Sequence, residues 1–285
     1  MIDLDQIERL YKQAEEDEVE FVPDEEEYGN TLAASAAGLV ALALPIFDQR
    51  LNGAVTRSDD VLVAMESMAQ VLDDVQDVSV DKELAVIVNN TILRGSTVSG
   101  AGDIINIAHR KDIIRDKVVA STKYYSNRYF NDQVIPAVMK NVDKILKNKE
   151  FDSRLAFNEI RKMLEDRYKS VPYWHLVANQ AVSRGYHYGL LKGGQYAGKT
   201  IVRYVSVIDN RTTDLCRNLN GKEWYLADAL VTAERRALAE GDELKNINPW
   251  MEWEDVKHLE DRDLLAMGVV VPPNHARCRS TLDLY

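Results

Sequence analysis

The strongest constraint in this sequence is a change of hydrophobic period. Up to about residue 170 the apolar residues recur at helical spacing. Only after that does a β-branched run occur, Ile201–Ile208 (IVRYVSVI), and branched side chains favour the pleated strand. The first part reads as a succession of helices. One is predicted over 1–20, with Ile2, Ile7, Leu10, Tyr11 and Ala14 loosely on one side, followed by a linker over Pro23–Gly29 (PDEEEYG) and a second helix over 31–47. Ser58 is placed to cap a third, with Asp59 and Asp60 in its first turn, where the helix dipole favours acids. Val61, Met65, Met68, Leu72 and Val75 then follow a 4-3-4-3 stripe of the kind that packs on other helices. A shorter helix is predicted from Asp81 to near Gly95, and GSTVSGAG (95–102) reads as a loop. A long helical pattern follows from Asp103 to about Glu150, which Pro136 must break or kink. Asp152 or Ser153 opens another helix, carrying Phe157, Ile160, Leu164 and Tyr168.

Beyond Ser170 the character changes. A helix with Pro172 in its first turn carries Trp174, Val177, Ala181, Tyr188 and Leu191, and Gly193-Gly194 are expected to stop it. The strand Ile201–Ile208 follows, then a tight turn at Asn220-Gly221 and a short strand over Lys222–Leu226. Ala227–Glu240 is predicted helical, 246–254 irregular, and Asp255–Met267 helical with Gly268 at its end. Short strands are predicted at Val269–Val271 and Ser280–Leu284. The fold class is thus a mainly α N-terminal domain followed by a small α+β C-terminal domain. By composition the chain divides into an acidic arm (1–29), a helical domain (30–170) and an α+β domain (171–285).

With 285 residues, 46% hydrophobic and 28% charged, the chain can bury ordinary cores and is not of disordered composition. Its two cysteines, Cys216 and Cys278, are too few for a disulfide-stapled secreted scaffold and point to a reducing compartment. The acidic start lacks the basic flank and apolar core of a signal peptide. The uncharged stretch Asn30–Phe47 is alanine-rich, contains Gly38 and meets Pro45, so a buried or interface helix is expected there rather than a membrane span. Charge is unevenly placed. Residues 1–28 hold twelve acids and two bases, whereas 109–169 hold fifteen bases against nine acids. Such polarity suits a molecule with two kinds of surface.

Residues 193–200, GGQYAGKT, match the phosphate-loop pattern G-x-x-x-x-G-K-[ST]. That loop works when a strand precedes it and a helix follows, so that backbone N–H groups and the helix N-terminus face the phosphates. Here the predicted order is reversed. The glycines therefore read as a helix stop and a turn, and nucleotide binding is not expected.

Two clusters near the C-terminus hold the chemically informative residues. The first runs from Asp209 through Arg211, Thr212, Thr213, Asp214 and Cys216 to Gly221-Lys222. The second is PPNHARCRS (272–280), with His275, Cys278 and Arg279. Asp209 can accept hydrogen bonds from the turn that follows it, Arg211 offers a planar fork, and Gly221 supplies the positive φ of a tight turn. The H-x-x-C spacing lets His275 and Cys278 converge, and Cys216 joins them if the two clusters meet. A Cys–His pair with Asp209 as orienter is also the minimum for a thiol nucleophile.

The order D-x-R-T-x-x-x-C, then L-x-G-K, then P-P-x-H-x-x-C-R resembles the ending of the Mu protein F-like, head-morphogenesis family of phage minor head proteins. The preceding helix, YWHLVANQAVSRGYHYGLLKGG, and its strand are similar as well, and the resemblance covers roughly 170–285. It implies a low-copy structural protein of the virion, in the head interior or portal region, which passes through the host cytoplasm during assembly. The implied partners are the portal protein, the scaffold or major capsid protein, and packaged DNA bound non-specifically, with no membrane. The implied role is head morphogenesis or DNA delivery without enzymatic activity. In many members the first cluster reads C-x-x-C, making a four-ligand metal set with the later His and Cys. Here Thr213 stands where the first of those cysteines would be. No cofactor is therefore expected, and zinc on Cys216, His275 and Cys278, with Asp209 or Asp214 as a fourth ligand, is the alternative. A Cys216–Cys278 disulfide is an alternative state for a mature particle exposed to air and is not expected in host cytoplasm. The alternative function is a Cys/His-dependent hydrolase or nuclease carried in the particle. Arg110, Lys111, Arg115, Lys117, Lys123 and Arg128 are the residues available for DNA or partner contact. They alternate with acids and with Tyr124, Tyr125, Tyr129 and Phe130, a pattern that better fits a solvated helix with its aromatics in the core.

Overall fold

The structure is a computed structural model that describes residues 23–74, 78–102, 110–148, 152–168, 171–247, 250–275 and 278–285. The helix expected over 1–20 lies outside these residues. The elements follow the expected class, a mainly helical N-terminal part and a small α+β C-terminal part. In chain order they are α1 (Pro23–Leu51), α2 (Ser58–Asp74), α3 (Val78–Val98), α4 (Lys111–Tyr129), a π turn (Phe130–Val134), α5 (Ile135–Leu146), α6 (Ser153–Tyr168) and α7 (Val171–Tyr196). There follow β1 (Ile201–Val205), α8 (Asp214–Leu219), β2 (Glu223–Tyr225), α9 (Leu226–Leu238), α10 (Glu243–Ile247), α11 (Trp253–Val256), α12 (Asp261–Ala266) and β3 (Thr281–Leu284).

Two compact units draw on interleaved segments. The first takes residues 29–81 and 123–175, the second 23–28, 82–122 and 176–285. This division differs from the compositional one at 29 and 170. In the first unit the α2 stripe Val61, Met65, Met68 and Leu72 is buried, as are Val138 and Val142 of α5 and Phe157, Ile160 and Leu164 of α6. Phe47 stacks on Phe157 with ring centroids 5.8 Å apart, and Asp48 accepts a 2.8 Å hydrogen bond from Arg161. Asp152 opens α6 as expected, its carboxylate accepting from the backbone N–H of Arg154 and Leu155. Pro136 does not end the helical run. The missing N–H falls just after the π turn, where the register has already slipped, and α5 continues.

The expected linker Pro23–Gly29 is the start of α1 instead. Proline suits a first helical turn and the acids suit the dipole there. Gly29 is buried where a Cβ would meet the His175 ring at 2.7 Å. Over Glu26–Leu51, α1 is long and apolar enough to cross a membrane by length and composition. Leu32, Ala36, Val40, Ala43, Leu44, Phe47 and Leu51 nevertheless form a buried stripe along it.

The second unit is built on an unusually close approach of α3 to α7. Gly185, Gly189 and Gly193 recur every four residues and so share one face of α7. A Cβ on Gly189 would lie 2.0 Å from the Ile92 carbonyl oxygen, and one on Gly95 would lie 2.3 Å from that of Tyr186. Of the residues expected to form a loop (95–102), 95–98 are the last turn of α3, while 99–102 turn away with Gly100 and Gly102 at positive φ. The expected helix stop (193–194) lies inside α7, and Gly95, Gly189 and Gly193 serve helix contact. Beside them is an antiparallel sheet of order β2-β1-β3, with Val202 paired to Trp224 on one side and Leu284 on the other. Val202, Tyr204, Trp224 and Leu282 turn to the buried face.

Two arginines are buried in this unit. Arg184 donates to Ser121 and to the carbonyls of Ala237 and Ala239 at the end of α9. Arg236 donates to the carbonyls of Gly268 and Val271. That second bond set explains a difference from the expected strand at Val269–Val271. These valines are buried in a turn whose carbonyls at Gly268 and Val271 are met by a guanidinium, and that at Val269 by the Asn274 amide, rather than by a neighbouring strand. The helix expected over Asp255–Met267 is likewise two short helices, α11 and α12, and Gly268 follows with φ +82°.

Candidate functional site

GGQYAGKT is spread over a helix end and a turn. α7 runs to Tyr196, Gly198 has φ +75°, and Thr200 donates to the Tyr285 carbonyl just before β1. A helix precedes and a strand follows, the reverse of the phosphate-loop order.

The two C-terminal clusters meet beside β1. Tyr204, pointing inward from the strand, lies with its hydroxyl 3.5 Å from Cys216 Sγ and 3.9 Å from Cys278 Sγ. Cys216 is positioned by α8, whose N-cap Thr213 accepts from the Cys216 backbone N–H at 3.3 Å. Cys216 Sγ lies 3.1 Å from His275 Nε2 and 3.7 Å from Cys278 Sγ. Cys216, Cys278 and Tyr204 are buried, at 2%, 7% and 0% exposure. Asn274 donates to the Tyr204 hydroxyl at 3.0 Å and to the Val269 carbonyl at 2.7 Å, and its own oxygen accepts from Arg236. Ser206 donates to the Cys216 carbonyl at 2.9 Å and meets Ser280 at 3.0 Å. Strand, short helix and C-terminal segment are thus tied by one buried polar network.

Electrostatically the two sulfurs are coupled. The hydrogen bond between the sulfurs and the backbone groups at Asn274 and Ser280 move the Cys278 pKa below the ordinary thiol value. The same hydrogen bond and burial push Cys216 above it. Burial raises the Tyr204 phenol well above its usual range, and the nearby sulfurs add to this.

Asp209 forms a second clasp. Its carboxylate accepts two bonds from Arg279, at 2.8 and 2.7 Å, one from the Arg211 backbone N–H at 2.9 Å, and faces the Thr212 hydroxyl at 3.1 Å. The Arg279 pair and these donors hold its pKa far below the carboxylate range. Gly221 takes φ +83° in the turn before β2, as its pattern required.

Cys216, His275 and Cys278 therefore come together, with their ligand atoms all within 4.8 Å of one another. Two thiols and an imidazole are the donors zinc prefers. The 3.7 Å sulfur separation is close to the roughly 3.8 Å edge of a tetrahedron with bonds of about 2.3 Å. The donor set fits zinc at three positions. Among the described residues Asp209 is committed to arginines, Thr213 to capping, and Asp214 is outside the group. Read as a catalytic pair, Cys216 and His275 have the right separation, but the sulfur is closed off and Asp209 orients Arg279 rather than the imidazole.

The basic residues are engaged within the protein. Arg110 pairs with Glu234 (3.0 Å), Arg115 with Asp112 and Asp116, and Lys117 with Glu240. Lys123 pairs with Asp81 (2.7 Å), and Arg128 with Asp132 (2.9 Å) while lying over the Tyr124 ring. Lys111 is half-buried at the start of α4. Tyr129 and Phe130 are core residues, in keeping with the helix-face reading.

Tyr204, Ser206 and Arg236 were not anticipated as site residues, and Asn274 and Ser280, though inside the second cluster, were given no role. The inward alternation Val202, Tyr204, Ser206 along β1 was the available signal for two of them. Arg236, in the ordinary helical sequence AERRAL, gave none. No family model, curated protein or solved structure matches this chain.

Proposed function

We propose that this protein is a minor head component of a phage particle, which docks on the portal or the adjoining head interior and assists head assembly or DNA delivery by binding. The observation that carries this reading is the use made of the residues that resemble the head-morphogenesis family. Asp209, Arg211, Thr212, Cys216, Gly221, His275, Cys278 and Arg279 are spent on a turn, an ion pair and a closed polar network. These are the uses expected of a domain that presents a rigid docking surface, and a thiol this buried is poorly placed for attack on anything larger than a small diffusible oxidant. Partners under this reading are the portal protein, then scaffold or major capsid protein, with packaged DNA touched non-specifically. A zinc ion, if held by Cys216, His275 and Cys278, would tie the same elements and supply stability rather than chemistry.

The test is to fractionate infected cells and purified particles and to quantify this chain against the portal and the major shell protein. It should accompany portal complexes and mature particles at a copy number far below that of the shell protein. Its absence from both would overturn the reading.

A further inference from the structure

We propose that Cys216 and Cys278 close into a reversible intramolecular disulfide when the protein meets an oxidant, converting a hydrogen-bonded clasp into a covalent one. The two sulfurs already face each other at 3.7 Å. A disulfide bond is about 2.0 Å long, so the closure required is less than about 2 Å. These are the only cysteines in the chain, so a single intramolecular pairing is available. They sit 62 positions apart, on α8 and on the segment leading to β3, and the bond would fix both against β1.

With hydrogen peroxide as oxidant the step balances. One sulfur attacks a peroxide oxygen and the O–O bond breaks. The thiol proton leaves with the released hydroxide as water, giving a sulfenic acid. The second sulfur displaces the sulfenic hydroxyl, which takes the second thiol proton and leaves as another water. Two thiols are oxidised, one peroxide is reduced to two waters, and a dithiol reductant reverses the change. The device is silent in a reducing cytoplasm and engages once that protection is lost. It does not depend on the head-protein reading.

The experiment uses the full-length protein, freed of metal with a chelator, treated with hydrogen peroxide and then denatured in a thiol-blocking reagent. Intact mass should fall by two hydrogens, both thiols should be lost to the reagent, the chain should remain monomeric, and Tm should rise. Dithiothreitol should restore the starting values. Cys216→Ala, retaining one thiol, should show no two-hydrogen loss. Free thiols after oxidation, added oxygen atoms without a cross-link, or a disulfide-linked dimer would each overturn the proposal. The wild-type mass and thiol count decide the matter even if the variant does not fold.

Discussion

Adding a single methyl group at Gly189 should destabilise this protein more than almost any change of its size. The added Cβ would stand 2.0 Å from the Ile92 carbonyl oxygen, 2.8 Å from its carbon and 3.0 Å from its Cα. All three are backbone atoms of α3, so no side-chain rotation relieves the contact. The two helices must separate by more than about 1 Å. Gly95 and Gly193 make similarly close approaches, so the separation loosens the whole contact rather than one point. Alanine in place of glycine favours a helix by about 1 kcal/mol. Overpacking costs about 1–3 kcal/mol and more where backbone has to move. The clash wins, and Gly189→Ala should lose about 2 kcal/mol net, or about 4–8 °C in Tm for a domain of this size. Gly38→Ala is the matched control. It is also helical but exposed, with nothing within 4 Å of the added Cβ, and should gain up to about 1 kcal/mol. Urea denaturation of both variants beside wild type checks the pair. A Gly189→Ala protein as stable as wild type would refute the account of the α3–α7 contact.

Two further predictions concern pH. His187 is buried, with Nδ1 2.8 Å from the Ser183 carbonyl, and burial pulls its pKa down to about 4. Between pH 6.5 and 4 the unfolded chain takes up a proton that the folded one refuses, so stability falls as pH drops through that window, by roughly 3 kcal/mol at its foot. His187→Gln should flatten the dependence in urea midpoints measured at pH 7 and 4.5, and an unchanged slope would show that His187 is not its source. Asp209 has the usual carboxylate sign. Its lowered pKa means that the stabilisation by Arg279 is full above about pH 4 and fades as pH falls below it. Asp209→Asn should therefore be less stable than wild type at pH 7, and the gap should narrow toward pH 3. A gap that widens in acid would contradict the assignment.

Local chemistry was the legible part of this fold. The β-branched run became β1, Asn220-Gly221 became the turn before β2, and Asp152 capped a helix, because each signal acts within a few residues. The meeting of Cys216, His275 and Cys278 was legible only through the resemblance, since nothing local ties residue 216 to residue 278. What escaped depends on long-range partners. Gly95, Gly189 and Gly193 carry the composition of loops and helix stops, and their role appears only when α3 lies against α7. Val269–Val271 have strand-like side chains, but Arg236 satisfies the carbonyls at Gly268 and Val271 and holds a turn there. The acidic run before Gly29 looked like a linker because its anchor, Tyr28, is identifiable only from its buried hydroxyl contact with Thr122 at 2.9 Å.

The central claim is that this chain acts by docking and that chemistry at Cys216 is dispensable. On the proposed head-protein reading, the most direct measurement is to introduce Cys216→Ser into the genome that encodes the chain. Folding of the purified variant should first be verified by circular dichroism and Tm, because the buried sulfur contacts Tyr204, His275 and Cys278. Recovery with portal complexes and plaque-forming titre are then read together. The account predicts that a folded variant is recovered with the portal as wild type is and that the titre is preserved. A folded variant that still binds the portal but yields no infectious particles would contradict it and make Cys216 a reacting group.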